Sequence, residues 1–485
     1  MSELLNLEPK LVWKYFDEIR QVPRPSKHEE KIIDYLLKFG KKHNLPTKRD
    51  AIGNVLISKP GTKGLENRPT VVLQSHMDMV CEKLGSVEID FLNDPIKAYV
   101  DGDWVKAEGT TLGADDGIGM AAQLALLAAD NIEHVPLECL FTVDEETGLT
   151  GAFELEKDFI SGNILLNLDS EDEGEIFIGC AGGIDTLAEF SYKLKHVRKE
   201  YKTYKIEISG LKGGHSGDEI HKGLGNSVKI IARFLYELNL LYPVKIAHID
   251  AGNMRNAIPR EASATVLIKP KYERLFLAEF KKFVADITNE IDRVEPKFDM
   301  SLAQSKPLDY HINSGTQKRL LRALMACHHG VINMSPAIEG LVETSTNLAS
   351  VKMNETANII TVTTSQRSSV ESGKHYVKEM ISSVFRLAKA KVENTDGYPG
   401  WSPNPNSPVL EVAVDTYEQL FGEKPLVRAI HAGLECGLFL EKYPNLDMIS
   451  FGPTLRDVHT PDERIEISTV EKWWRHLLLM LKEIK

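Results

Sequence analysis

In the stretch Thr70-Val71-Val72-Leu73-Gln74-Ser75-His76-Met77-Asp78, an apolar strand-like run passes without a break into a histidine and an aspartate. Side chains alternate faces along a strand, so His76 and Asp78 project to one side and Ser75 and Met77 to the other. Open α/β sheets gather their ligands beyond the carboxyl ends of the strands. An imidazole there can coordinate a metal through one ring nitrogen. Asp78 can accept a hydrogen bond from the other nitrogen and hold the tautomer. A His-x-Asp pair taken alone is also an ordinary surface pair, so the reading depends on what the rest of the chain adds.

Upstream, Asn54–Ser58 reads as a strand. Two amphipathic helices precede it, the second announced by Ser26-Lys27-His28-Glu29 at capping-box spacing, with Ile32, Ile33, Tyr35, Leu36 and Leu37 following. Downstream, Met120–Leu127 reads as a helix, and Leu137–Val143, Ile164–Leu168 and Glu175–Ile178 read as strands. The alternation predicts an α/β fold: a mostly parallel sheet flanked by helices.

Two of these strands also end in acids. Leu137–Val143 runs into Asp144-Glu145-Glu146, and Ile164–Leu168 into Asp169. Adjacent carboxylates repel, and stacking them at a strand end is costly without a cation. Neighbouring residues point in different directions, so one of Glu145 and Glu146 can bind metal while the other faces a water. In a parallel sheet these ends converge on one edge. Asp115 lies in the glycine-rich turn Gly113–Gly119 ahead of a helix. Aspartate is a routine N-cap, but a carboxylate in this position can also bridge two cations with one oxygen on each. His459, in the loop Gly452–Glu463 after the strand Met448–Phe451, adds a second imidazole. Two imidazoles and three carboxylates without a thiolate favour Zn²⁺, with Mn²⁺ or Co²⁺ as substitutes. Two such ions about 3.5–4 Å apart suit hydrolysis through a bridging water.

A chain of 485 residues exceeds one hydrophobic core. Its character changes near Leu187, where charged, alternating segments begin. Two later stretches follow one plan: Asn256-Ala257-Ile258-Pro259, strand Ala262–Ile268 and a helix from Glu273; then Asn347, strand Asn358–Thr364 and a helix from Gly373. Gly397-Tyr398-Pro399-Gly400-Trp401-Ser402-Pro403 reads as a return linker. The expected organisation is a catalytic domain over 1–187 and 397–485, interrupted by an α+β lid over 188–396 built from two related halves.

The formal charge of −12 argues against nucleic acid or an anionic membrane as partner. No signal peptide and no apolar run of membrane-spanning length are readable. The five scattered cysteines, Cys81, Cys139, Cys180, Cys327 and Cys436, fit a reducing compartment. The expectation is a soluble, cytoplasmic protein.

The succession of His76-x-Asp78, Ala114-Asp115-Asp116, Asp144-Glu145-Glu146, Leu168-Asp169-Ser170-Glu171 and a late His459 resembles the co-catalytic zinc peptidases, the family that includes carboxypeptidase G, aminoacylase and carnosinase. Gly179-Cys180-Ala181-Gly182-Gly183, Gly213-Gly214-His215-Ser216-Gly217, Arg255-Asn256-Ala257-Ile258-Pro259 and His431-Ala432-Gly433-Leu434-Glu435 extend the likeness along the whole chain, toward the dipeptidases of that family. The resemblance implies two zinc ions held by His76, Asp115, Glu146, Asp169 and His459, with Asp115 bridging. It implies that Asp78 orients His76 and that Glu145 is the general base. It also implies a lid that dimerises, with His215 reaching the partner subunit's site to polarise the scissile carbonyl, and Asn256 and Arg367 as substrate contacts, Arg367 on the free carboxylate. Asp116 departs from the Asn usual after the bridging aspartate, and no ligand is lost. The implied activity is hydrolysis of dipeptides of broad sequence, Xaa-His included. An N-acyl amino-acid deacylase or a single-residue carboxypeptidase would use the same metal residues, and an inactive metal-binding or interaction protein is the alternative from another class.

Overall fold

Val71–His76 lies inside an eight-stranded sheet ordered Thr47–Arg49, Val55–Lys59, Leu137–Thr142, Val71–His76, Ile164–Asn167, Asp447–Ser450, Glu175–Cys180, Leu426–Ile430. The computed structural model describes residues 2–197, 200–336 and 338–485. The four central strands run parallel, and their neighbours on both sides are antiparallel. The sheet is therefore mixed, parallel where it carries the site. Every residue of Val71–His76 and Leu137–Thr142 is buried, as a parallel sheet covered on both faces requires. Helix Ala114–Ala128 locks onto the Val71–His76 strand through Gln123, whose Nε2 donates to Leu73 O (2.7 Å) and whose Oε1 accepts from Ser75 Oγ (2.7 Å).

The expected capping box does not form. The helix begins at Glu30, and Ser26 Oγ instead donates to Asp78 Oδ2 (2.7 Å). Glu29 accepts from Lys27 N (2.9 Å) and Asp144 N (3.0 Å). Buried groups beneath the site have no water to turn to, so they take these partners ahead of the local cap.

The contacts divide the chain into two units, the first made of the residues through Gly179 with Pro403–Ala429 and Leu434–Lys485, the second of Cys180–Ser402 with Ile430–Gly433. The expected boundaries at 187 and 396 fall elsewhere for a hydrogen-bonding reason. Strand Gly182–Ser191 belongs wholly to the sheet of the second unit, and the presumed linker pairs with its start, through Cys180 with Trp401 and Gly183 with Tyr398.

The second unit has a nine-stranded sheet. Strands Lys202–Ser209, Lys245–Ala251, Ala262–Ile268 and Asp299–Gln304, with helices Ser227–Leu241 and Glu273–Ile291, form one β-α-β-β-α-β half. Strands Gly182–Ser191, Val342–Asn354, Ile359–Ser368 and Lys391–Asn394, with helices Ser314–Ala326 and Glu371–Leu387, repeat it. The halves meet where Asp250 and Ala251 pair antiparallel with Lys352 and Val351. The first half is nested in the chain inside the second, after its opening strand. The two Asn segments read as equivalents are not. Asn347 lies within a strand, and its Nδ2 donates to Arg255 O (3.1 Å) and Ala257 O (2.8 Å), holding the loop that carries Asn256.

In the first unit, Gly452 follows the Asp447–Ser450 strand and abuts the backbone of Ser170, where a Cβ would overlap the Ser170 carbonyl. Gly452→Ala is expected to destabilise the protein by about 2 kcal/mol or more, by forcing this turn away from the residue next to Asp169. An unchanged melting temperature would show that the turn yields freely.

Candidate metal centre

Four carboxylates and two imidazoles of the first unit converge beyond the parallel strand ends. His76 Nε2 lies 3.0 Å from Asp115 Oδ1 and 3.5 Å from Asp169 Oδ1. His459 Nε2 lies 3.0 Å from Asp115 Oδ2 and 3.0 Å from Glu146 Oε2. One donor atom from each of His76, Asp115 and Asp169 lies within 4.8 Å of the others, and the same holds for Asp115, Glu146 and His459, and for His76, Glu145 and Glu146. Asp115 thus faces one half of the centre with each oxygen. Glu146 Oε1 is buried without a hydrogen-bond partner. This nitrogen–oxygen donor set, with an orphaned carboxylate oxygen and a shared aspartate, fits a pair of divalent cations.

The electrostatics carry the same message. Burial alone would lower the His76 imidazole, but Asp169, Asp115 and Asp78 hold it well above the usual range. Burial is likewise overridden at His459, where Asp115 and Glu146 push the imidazole up to about 11. Asp115 goes the other way: burial opposes ionisation, and the two imidazoles still hold it far below the carboxylate range. Burial and the neighbouring acids push Asp169 up to about 7 and Glu171 to about 8, and raise Glu145 well above its ordinary value. Crowding of this many carboxyls with little solvent favours their protonated forms unless cations compensate.

Long-range contacts hold the donors in place. Asp78 Oδ1 faces His76 Nδ1 at 3.3 Å, as read from the strand alternation. It also accepts from Glu145 N (3.0 Å), while its Oδ2 accepts from Glu146 N (3.3 Å), so one buried carboxylate holds the acidic turn beside the ring. Arg24 is buried and donates to the carbonyls of Asp78 (2.5 Å) and Gly113. Nothing in the local sequence assigns a role to Glu463. Its carboxylate accepts from Leu112 N (2.7 Å), Gly113 N (3.1 Å), Ala114 N (2.8 Å) and Asp115 N (3.4 Å). It therefore ties the Asp115 turn to the His459 loop, 351 to 348 positions apart in sequence. The one available signal was an acidic residue four positions after His459. His459 itself sits between Leu455–Arg456 and Arg464–Glu466, which pair with each other, and the latter pairs with Trp104–Ala107. Its φ of +62° is a left-handed conformation that a histidine adopts at a cost.

The remaining site residues lie in the second unit. His215 Nδ1 is 3.1 Å from Asp218 Oδ2, and Ser216 N donates to Asn256 O (2.9 Å), so the His215 and Asn256 loops run side by side. Gly217 packs against the His431 carbonyl, and Asp218, despite burial, is lowered by His215, Arg367 and His431. Asp218 is thus a shared neighbour of His215, Arg367 and His431. Arg367 is 7% exposed and makes a hydrogen bond from Nη1 to Tyr398 Oη (3.3 Å). Its Nε has no partner, and no carboxylate among the described residues pairs with it.

Residues 72–483 match the profile of peptidase family M20/M25/M40. The chain belongs to this family. It is 43% identical over 484 residues to the cytosol non-specific dipeptidase of Escherichia coli K12, covering 100% of this chain and 99% of that one. It is also 43% identical to the aminoacylhistidine dipeptidase of Vibrio alginolyticus, whose crystal structure superposes with a TM-score of 0.90 over 100% of this chain and 98% of that one. The aminopeptidase PepT of Bacillus cereus shares the fold at 16% identity, with a TM-score of 0.57 over 99% of each chain. The M20 match and the mixed α/β architecture agree, and no helix among the described residues is long and apolar enough to cross a membrane.

A cation bound by Asp169, His76 and His459 competes with protons there, since all three groups are raised above their ordinary values. Proton release on uptake of a divalent metal and a rise in apparent affinity from about pH 6 to about pH 8 are the expected results. Chelator-competition titrations across that range check this, and an affinity independent of pH would contradict it.

Proposed function

We propose that this M20 protein is a dipeptidase of broad sequence preference, Xaa-His dipeptides included, working with two Zn²⁺ ions held by His76, Asp115, Glu146, Asp169 and His459. The observation that carries this reading is the single aspartate shared between two donor groups, Asp115 with His76 and Asp169 on one side and with Glu146 and His459 on the other. Full-length identity to proteins named as dipeptidases supports the substrate class, and the name of the first of these supports a cytosolic setting.

The cations, once bound, would supply an acidified water and polarise the scissile carbonyl. Glu145 is the general base in this reading. Its carboxylate takes a proton from the attacking water and returns it to the amide nitrogen as the C–N bond breaks. Asp78 keeps the His76 ring and the Glu145 backbone aligned. His215 is proposed to stabilise the oxyanion. Asn256 is proposed to contact the substrate backbone, and Arg367 the free carboxylate. The unpaired Nε supports that last role, because a buried guanidinium nitrogen is costly unless an acceptor meets it. A homodimer formed through the second unit belongs to the same proposal and rests on the family resemblance.

Glu145→Gln is expected to retain about two zinc ions per chain and to lose ~10²–10⁴-fold in turnover. Full activity of the metal-replete variant would remove Glu145 from the mechanism. Arg367→Ala is expected to raise KM for dipeptides and to leave metal content unchanged. A panel of dipeptides, tripeptides and N-acetyl amino acids separates the dipeptidase from the carboxypeptidase and deacylase readings. Preferential hydrolysis of N-acetyl amino acids would overturn the first.

A further inference from the structure

Beneath the metal-binding side chains lies a second row of polar groups. Gln74, Asn167 and Ser450 stand in register across three parallel strands, and all three are fully buried. Gln74 lies two residues before His76 and Asn167 two residues before Asp169, on the same faces of their strands. The hydrogen bonds between them run one way. Ser450 Oγ donates to Asn167 Oδ1, Asn167 Nδ2 donates to Gln74 Oε1 (2.6 Å), and Gln74 Nε2 donates to Glu435 Oε2 (2.6 Å). Thr142 Oγ1 donates to the same oxygen (2.9 Å).

The row ends on a carboxylate whose two hydrogen-bond donors, Gln74 and Thr142, are both neutral. Glu435 opens the helix Glu435–Lys442 and is 1% exposed. Its Oε1 has no hydrogen-bond partner, and no Lys or Arg among the described residues pairs with it. Burial pushes its carboxyl up to about 8, with His76 opposing the shift and Asp169 adding to it, and Glu435 in turn raises Glu145. A glutamine would accept the same two hydrogen bonds without burying a charge. An unpaired buried carboxylate is costly unless a cation compensates it, and the cations of the proposed centre are the compensating charges at hand.

We propose that Glu435 is a positioning residue of the metal centre: its carboxylate anchors the Gln74–Asn167 row under His76 and Asp169 and supplies negative charge behind the ligands. The inference rests on the di-metal reading above. Glu435 touches neither substrate nor metal in it and acts through the residues in front.

Glu435→Gln keeps the two acceptor contacts and removes the charge, and Glu435→Asp keeps the charge on a shorter arm. Zn²⁺ affinity, measured by chelator competition, is expected to weaken about 10–100-fold in Glu435→Gln, with partial recovery in Glu435→Asp. The melting temperature of metal-free Glu435→Gln is expected to be unchanged or higher, and its loss of activity at saturating zinc should fall on kcat rather than KM. Wild-type affinity in Glu435→Gln, or equal losses in the two variants, would overturn the role of the charge. A wild-type protein that binds no zinc would instead remove the di-metal reading itself.

Discussion

The repulsion among half-buried carboxylates gathered beyond the parallel strand ends is the constraint around which this structure is organised. Asp115, Glu145, Glu146 and Asp169 share one small volume with two imidazoles, and the imidazoles alone cannot neutralise it. Raised carboxyls at Glu145 and Asp169 coexist with a strongly lowered Asp115. That unevenness is what a site looks like when its charge balance is completed by cations.

Holding such a cluster requires rigid partners, and the chain supplies them as buried anions and amides with many contacts. Asp78 serves His76 and the acidic turn at once. Glu463 gathers four successive backbone N–H groups, so the turn bearing Asp115 moves with the His459 loop. A backbone nest of this kind prefers an anion, which explains a carboxylate being kept there in full burial. The parallel strands provide the stiff base, since both of their faces are covered.

The second unit solves a different problem, that of presenting loops from an extended sheet. Duplication of one β-α-β-β-α-β half gives two similar edges that pair through Lys245–Ala251 and Val342–Asn354. Asn347 of one half then fixes the Asn256 loop of the other, and Gly217 lets the His215 loop pack closely on His431. Arg367 is left buried with a guanidinium nitrogen unsatisfied.

Much of this was legible in the residues. Apolar runs ending in His76, Glu145–Glu146 and Asp169 defined the central strands and the candidate donors together, because strand alternation and side-chain chemistry are local properties. The nesting of the two halves, the unit boundaries at 180 and 402, the diversion of Ser26 from its helix to Asp78 and the anchoring by Glu463 were decided only in three dimensions. Each depends on pairing between segments far apart in the chain. A carboxylate looks the same in sequence whether its partner is water, a cation or four backbone amides, and only the folded packing determines which of these remains within reach.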